Sequence, residues 1–160
     1  MLIKPFIARL FSKYIARKNL RWIKNPVLAQ NTIFQTLVNT AKDTSFGKDH
    51  GFEKITSYDI WKKNVPIRNY EGVKKYIDRI ISGEENVLWP GKPLYFSKTS
   101  GTTSGAKYIP ITKASMPNHI RAARDAILCY IFETKNTSII NGKMIFLQGS
   151  PELYKTGGIL

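Results

Sequence analysis

The chain has 160 residues, 42% of them hydrophobic and 22% charged, which suits one globular domain and excludes a disordered tail or a fibre. A single cysteine, Cys129, excludes an internal disulfide and a cysteine-based zinc site, and the two histidines, His50 and His119, lie far apart with no partner at metal-ligand spacing. Lysine and arginine number 25 against 11 acidic residues, a net charge of +14, which points to a polyanion as partner: nucleic acid, anionic lipid or a phosphorylated small molecule.

Half of that charge sits on residues 1–24, where Lys4, Arg9, Lys13, Arg17, Lys18, Arg21 and Lys24 meet no acidic residue. Ile3, Phe6, Ile7, Leu10 and Tyr14 recur there at helical spacing, with Phe11 and Ile15 widening the stripe, so residues 1–24 form a basic amphipathic helix. Two readings stand for it. Either the apolar stripe docks on the protein's own body and leaves a solvated basic face, or the helix makes peripheral membrane contact or serves organelle targeting. No apolar run reaches the roughly 18 residues needed to cross a bilayer, so a soluble or surface-bound chain is expected.

Asn25-Pro26 starts a second helix, whose face Leu28, Phe34, Leu37, Val38 and Ala41 runs to about Lys42. A connector is expected over Asp43–Gly51. Ser57 caps a short helix through Trp61, stopped by Pro66, and Asn69 caps another, with Val73, Tyr76, Ile77, Ile80 and Ile81 inward and Gly83 at its end. From Val87 the character changes. Leu94–Phe96 and Tyr108–Ile111 read as strands on either side of a small-residue loop. Thr112 is the expected cap of a long helix over Lys113–Glu133, with Met116, Ile120, Ala123, Ile127 and Ile131 inward and His119 an ordinary helix residue. Lys143–Gln148 reads as a buried strand. Helices followed by strand, loop, strand and helix give an α/β fold.

The loop carries the chemistry. Thr99, Ser100, Gly101, Thr102, Thr103, Ser104, Gly105, Ala106 and Lys107 put five side-chain hydroxyls beside two glycines and a lysine. Glycines let backbone N–H groups approach a ligand, successive N–H groups form an anion-binding nest, and the lysine adds a point charge. These parts suit a triphosphate. The loop is neither a Walker A motif nor G-x-G-x-x-G: Gly101 and Gly105 stand four apart, Ala106 precedes Lys107, and a strand follows rather than a helix.

TSGTTSGAK resembles the phosphate-binding loop of the adenylate-forming superfamily. More closely, the chain resembles the Gretchen Hagen (auxin-responsive promoter) family of acyl-acid amido synthetases, in its bacterial form. The matching stretches are Thr40–Gly47, Gly51-Phe52, Val65-Pro66-Ile67 with Tyr70-Glu71, Ile80–Glu84, Asn86–Gly91, Lys98–Thr112 and Met144–Gly149. The resemblance implies a cytoplasmic enzyme using ATP and Mg²⁺ to adenylate a small-molecule carboxylic acid, after which an amino acid amine attacks to give an amide and AMP. It implies that Thr99, Ser100, Gly101, Thr102, Thr103, Ser104 and Gly105 hold the phosphates, with Lys107 nearby. No side chain is needed as nucleophile, because the substrate's carboxylate attacks. The long helix would border the acyl site, where Arg121 and Arg124 are candidates for pairing with a substrate carboxylate; the plainer reading pairs Arg121 with Asp125. Members of the family are several times longer, so residues 1–160 are expected to be the N-terminal portion of a single adenylation domain. The rival reading is a basic binding module for anionic membrane or nucleic acid, working through residues 1–24.

Overall fold

The computed structural model describes residues 3–99, 105–143 and 145. In chain order it contains α1 (Ile3–Lys24), α2 (Pro26–Ala41), α3 (Ser45–Asp49), a 3₁₀ turn (Phe52–Lys54), α4 (Tyr58–Asn64), α5 (Tyr70–Ile81), β1 (Pro93–Lys98), β2 (Tyr108–Thr112), α6 (Met116–Thr134) and a 3₁₀ turn (Ser138–Ile140). The fold is α/β as expected, mostly helical, with β1 and β2 forming a two-stranded antiparallel sheet. The expected strand at Lys143–Gln148 falls mostly outside the described residues. Among the described residues the chain divides into two compact units, one spanning Asn31–Ser115 and the other holding residues 3–30 with those from Met116 to 145.

In the Asn31–Ser115 unit, short polar side chains set the helix starts. Ser57 Oγ accepts the Ile60 N–H at 3.3 Å, and Asn69 Oδ1 accepts the Gly72 N–H at 3.0 Å, each satisfying an otherwise orphaned donor of the first turn. The connector expected at Asp43–Gly51 instead contains α3. Buried Thr44 makes this possible: its Oγ1 donates to the Ala41 carbonyl at 2.6 Å and accepts the Gly47 N–H at 3.0 Å, so one hydroxyl closes α2 and opens α3. A helix of five residues leaves too short a hydrophobic period to be read from sequence. α4 also runs one turn further than expected, to Asn64, before Pro66 stops it.

Val38, Ala41, Phe52 and Ile55 form one buried cluster, and Tyr76, Ile80 and Val87 a second, with Phe46 packed against both. The Phe46 ring stacks on His50 at 4.1 Å and meets Phe52 and Tyr76 edge-on at 5.7 and 5.1 Å. His50, also buried, is satisfied at both nitrogens: Nε2 accepts from Arg68 at 2.9 Å, so Nδ1 carries the proton and donates to the Phe46 carbonyl at 2.7 Å. On α5, Tyr76, Ile77 and Ile80 are buried, as the stripe predicts.

The Tyr76 hydroxyl donates to Asp49 Oδ2 at 2.7 Å, tying α5 to α3. That bond, ahead of the nearby Lys75, His50 and Arg79 charges, lowers the Asp49 pKa against the opposing effect of burial. Burial first, then Asp49, raises that of Tyr76. A depressed carboxylate contributes stability that is present above its unfolded pKa of 3.8 and lost as pH falls through the folded value. A raised phenol contributes below its unfolded pKa of 10.0 and loses that contribution as pH rises through the folded value. Tyr76→Phe is therefore expected to cost about 1 kcal/mol near neutral pH, and to flatten both the acid and the alkaline limbs of a urea-midpoint profile.

In the other unit α1 packs along α6. The face that α1 buries differs from the stripe expected: Ser12, Ile15 and Ala16 are buried, whereas Ile3, Phe6, Ile7, Leu10 and Tyr14 are exposed. Small side chains let the two helix backbones approach closely, and the bulky stripe is left outside. Asn19 Nδ2 reaches Cys129 Sγ at 3.6 Å, and Arg9 donates to the Lys135 carbonyl at 3.3 Å. Cys129 is half-buried.

α6 begins at Met116, three residues later than expected, because of Pro117. Started at Lys113, the helix would hold Pro117 where its ring meets the Lys113 carbonyl and its missing N–H breaks a bond; in the first turn neither matters. Thr112 is consequently not the cap of α6. It forms a closed turn with Ser115, each backbone N–H donating to the other's hydroxyl at 3.0 Å. Ile120 is exposed, as is Ala123, while Ile127 is half-buried and Ile131 buried, so only the C-terminal half of the expected inward face is covered.

Candidate functional site

β1 and β2 form a hairpin whose connection is the hydroxyl- and glycine-rich loop. The register pairs Lys98 with Tyr108, Ser97 with Ile109, Phe96 with Pro110 and Tyr95 with Ile111, with an irregularity before Tyr95. Pro110 lacks an N–H and is tolerated because a two-stranded sheet has only edge strands. Above the last pair the ladder extends by one step. The Thr99 N–H donates to the Lys107 carbonyl at 3.0 Å, and the Lys107 N–H donates to Thr99 Oγ1 at 3.2 Å. Thr99 and Lys107 thereby close the stem of the loop, and Gly105, at φ +78°, turns the chain back towards it in the left-handed region that favours glycine. Ser100, Gly101, Thr102, Thr103 and Ser104 lie outside the described residues.

Tyr70 is a site residue to which the sequence reading gave no role. Its hydroxyl accepts the Tyr108 N–H at 2.9 Å and lies 3.5 Å from the Tyr108 carbonyl, anchoring the stem to the first turn of α5. Its ring lies under the Lys107 ammonium, 5.7 Å from the centroid, a cation–π distance. Among the described residues Lys107 makes no ion pair. The ammonium is held over the Tyr70 ring beside the stem. The signal for Tyr70 was the Tyr70-Glu71 pair, but nothing local ties a helix-start tyrosine to a strand 38 residues later.

Arg121 and Arg124 belong to the other unit. Arg121 is not paired with Asp125; it donates to Asn118 Oδ1 at 2.5 Å and to the Pro117 carbonyl at 3.2 Å. Asp125 takes Arg124 instead, at 2.7 Å, and the Arg124 guanidinium lies 5.5 Å from the Phe11 ring centroid. With Arg124 anchored on Phe11, Asp125 is engaged before Arg121 can reach it. The described residues contain no cluster of three or more His, Cys, Asp or Glu able to hold a metal ion.

The GH3 family N-terminal domain matches residues 17–160. The chain belongs to the GH3 family. It is 26% identical over 133 residues to a jasmonoyl–L-amino acid synthetase (JAR4) of Nicotiana attenuata, a match covering 81% of this chain and 22% of that protein. It is 31% identical over 102 residues to the indole-3-acetic acid-amido synthetase GH3.15 of Arabidopsis thaliana, covering 53% and 17%. A 4-substituted benzoates-glutamate ligase (GH3.12) of the same plant matches at 40% over 50 residues, covering 31% and 9%. The chain thus spans about a fifth of the length of these relatives.

Several of the GH3-like stretches hold one another in place. The Ser45 and Phe46 N–H groups donate to the carbonyls of Asn86 and Val87 at 2.8 and 2.9 Å. Asn86, at φ +56°, closes its own loop by accepting the Gly91 N–H on Oδ1 at 2.8 Å. Arg79 joins Glu84 to Ser45 Oγ, the latter at 2.7 Å. These GH3 motifs frame the unit that carries the hairpin.

Proposed function

We propose that this chain is the N-terminal part of an acyl-acid amido synthetase that works through ATP-dependent adenylation. The observation that carries the reading is the hairpin stem. It presents a loop of hydroxyls and glycines from a closed base and keeps the Lys107 ammonium beside it. Thr99, Ser100, Gly101, Thr102, Thr103, Ser104 and Gly105 would hold the nucleotide phosphates, and Lys107 would offset the charge that builds on the leaving pyrophosphate. In the first step a substrate carboxylate oxygen bonds to the α-phosphorus while the bond to the β-phosphate bridging oxygen breaks, and pyrophosphate leaves with the electron pair. In the second an amino acid nitrogen bonds to the acyl carbon, AMP leaves with the electron pair, and the nitrogen gives up a proton. Mg²⁺ would enter with the triphosphate, screening its charge. Small acids and amino acids are the substrate class, in keeping with the relatives' names. Arg121 and Arg124 remain candidates for the acyl carboxylate.

The test is carboxylate-dependent exchange of labelled pyrophosphate into ATP by the full-length protein. Exchange with at least one acid of a broad panel, including jasmonate, indole-3-acetate and substituted benzoates, is expected. Absence of exchange with every acid would refute the proposal.

A further inference from the structure

The outward face of α1 takes no part in the adenylation proposed above. At 3.6 residues per turn, Ile3, Phe6, Leu10 and Tyr14 fall on the side of α1 opposite Ser12, Ile15 and Ala16, the residues it buries, with Ile7 at the edge of that row, where it lines a groove with Ile127, Leu128 and Ile131 of α6. The four of the row and Ile7 are 55 to 72% exposed, an unusual cost for one continuous row of large apolar side chains. Arg17 and Arg21 continue the same row toward the C-terminus and Lys13 flanks it, with no acidic residue anywhere in the helix. The GH3 family match begins at Arg17, and the apolar part of the row lies before it.

We infer that the N-terminal half of α1 is an interfacial anchor that seats on an anionic lipid bilayer. The charge pattern selects this occupant. An apolar row with cations beside it and beyond its end, and no carboxylate among them, matches a surface of anionic headgroups over acyl chains. Phe6 and Leu10 would sit at the headgroup–acyl boundary, with Tyr14 at its polar edge, and Lys13, Arg17 and Arg21 would reach phosphate groups. The helix lies in the plane of the surface: none among the described residues is long and apolar enough to cross a membrane. Affinity requires both signals, because neither a short apolar face nor a basic patch alone gives stable attachment.

The experiment is co-sedimentation of the full chain with vesicles of phosphatidylcholine alone and of phosphatidylcholine mixed with phosphatidylserine. Pelleting with the mixed vesicles is expected, at least about tenfold weaker with phosphatidylcholine alone and weakened by salt. The double substitution Phe6→Ser, Leu10→Ser should lower binding by about tenfold or more. It should leave helical circular dichroism unchanged, since both side chains point away from α6. Lys13→Glu with Arg17→Glu should abolish the preference for phosphatidylserine. Failure of the wild-type chain to pellet, equal pelleting with both vesicles, or undiminished binding by the Phe6/Leu10 variant each overturns the inference. So does a change in native mass of that variant without wild-type vesicle binding, which would mean that a second copy covers the face. Binding to duplex DNA but not to vesicles overturns it as well.

Discussion

Replacing Gly47 with alanine is expected to destabilise the Asn31–Ser115 unit by about 3 kcal/mol or more, a large share of the roughly 5–15 kcal/mol that holds a domain folded. The argument is steric. A Cβ at Gly47 would overlap the Ala41 carbonyl oxygen and lie 2.8 Å from the Lys42 carbonyl oxygen and 2.9 Å from its carbon. All three are backbone atoms, which cannot swing aside as a side-chain tip can. Moving them would pull apart the junction at which buried Thr44 bonds to both Ala41 and Gly47, and with it the two N–H donors by which α3 holds Asn86 and Val87. The urea midpoint should fall with the slope unchanged. Gly142→Ala is the control: its nearest atoms would lie 3.8 Å away, so a shift within about 0.5 kcal/mol is expected. Equal effects at the two positions would show that close packing at Gly47 is not what requires a glycine.

Lys107→Ala in the full-length protein is expected to slow acid-dependent pyrophosphate exchange by about 10²-fold or more, the loss typical of removing a group that stabilises developing charge. The backbone bonds between Thr99 and Lys107, and the anchor from Tyr70 to Tyr108, do not involve the ammonium. The thermal midpoint should therefore stay within a few degrees of wild type. A structural role would show the opposite pattern, with a lower midpoint and a rate that follows the amount of folded protein. If the rate is unchanged, Lys107 does not face the phosphates.

Much of the fold was legible because its signals are local. Asn69 and Ser57 announce their helices by offering an oxygen to an N–H three residues on, and the stripe of α5 has an apolar period long enough to read. The hairpin was legible as two β-branched and aromatic runs around a loop of turn residues. α3 was not, since five residues cannot show a period and its start depends on a hydroxyl whose two partners lie on different elements. Hydrophobicity alone left open whether the stripe of α1 docks or stays outside; against α6, close approach of Ser12 and Ala16 decides which face is covered, and of the stripe only Ile15 is buried. The same limit applies to the arginines of α6, where spacing allows Arg121 to reach Asp125 and the ring of Phe11 draws Arg124 into position to take it.

By itself the sequence determined the family, the α/β class and the place of the hydroxyl- and glycine-rich loop between two strands, because each is written in residue types at short, fixed separations. The tertiary structure alone decided that Tyr70 anchors the loop's stem and lies beneath its lysine, and that the bulky row of α1 faces outward. Both depend on which distant surfaces meet, and that is set by shape and by the satisfaction of buried polar groups across the fold, for which a single stretch of sequence carries no local mark.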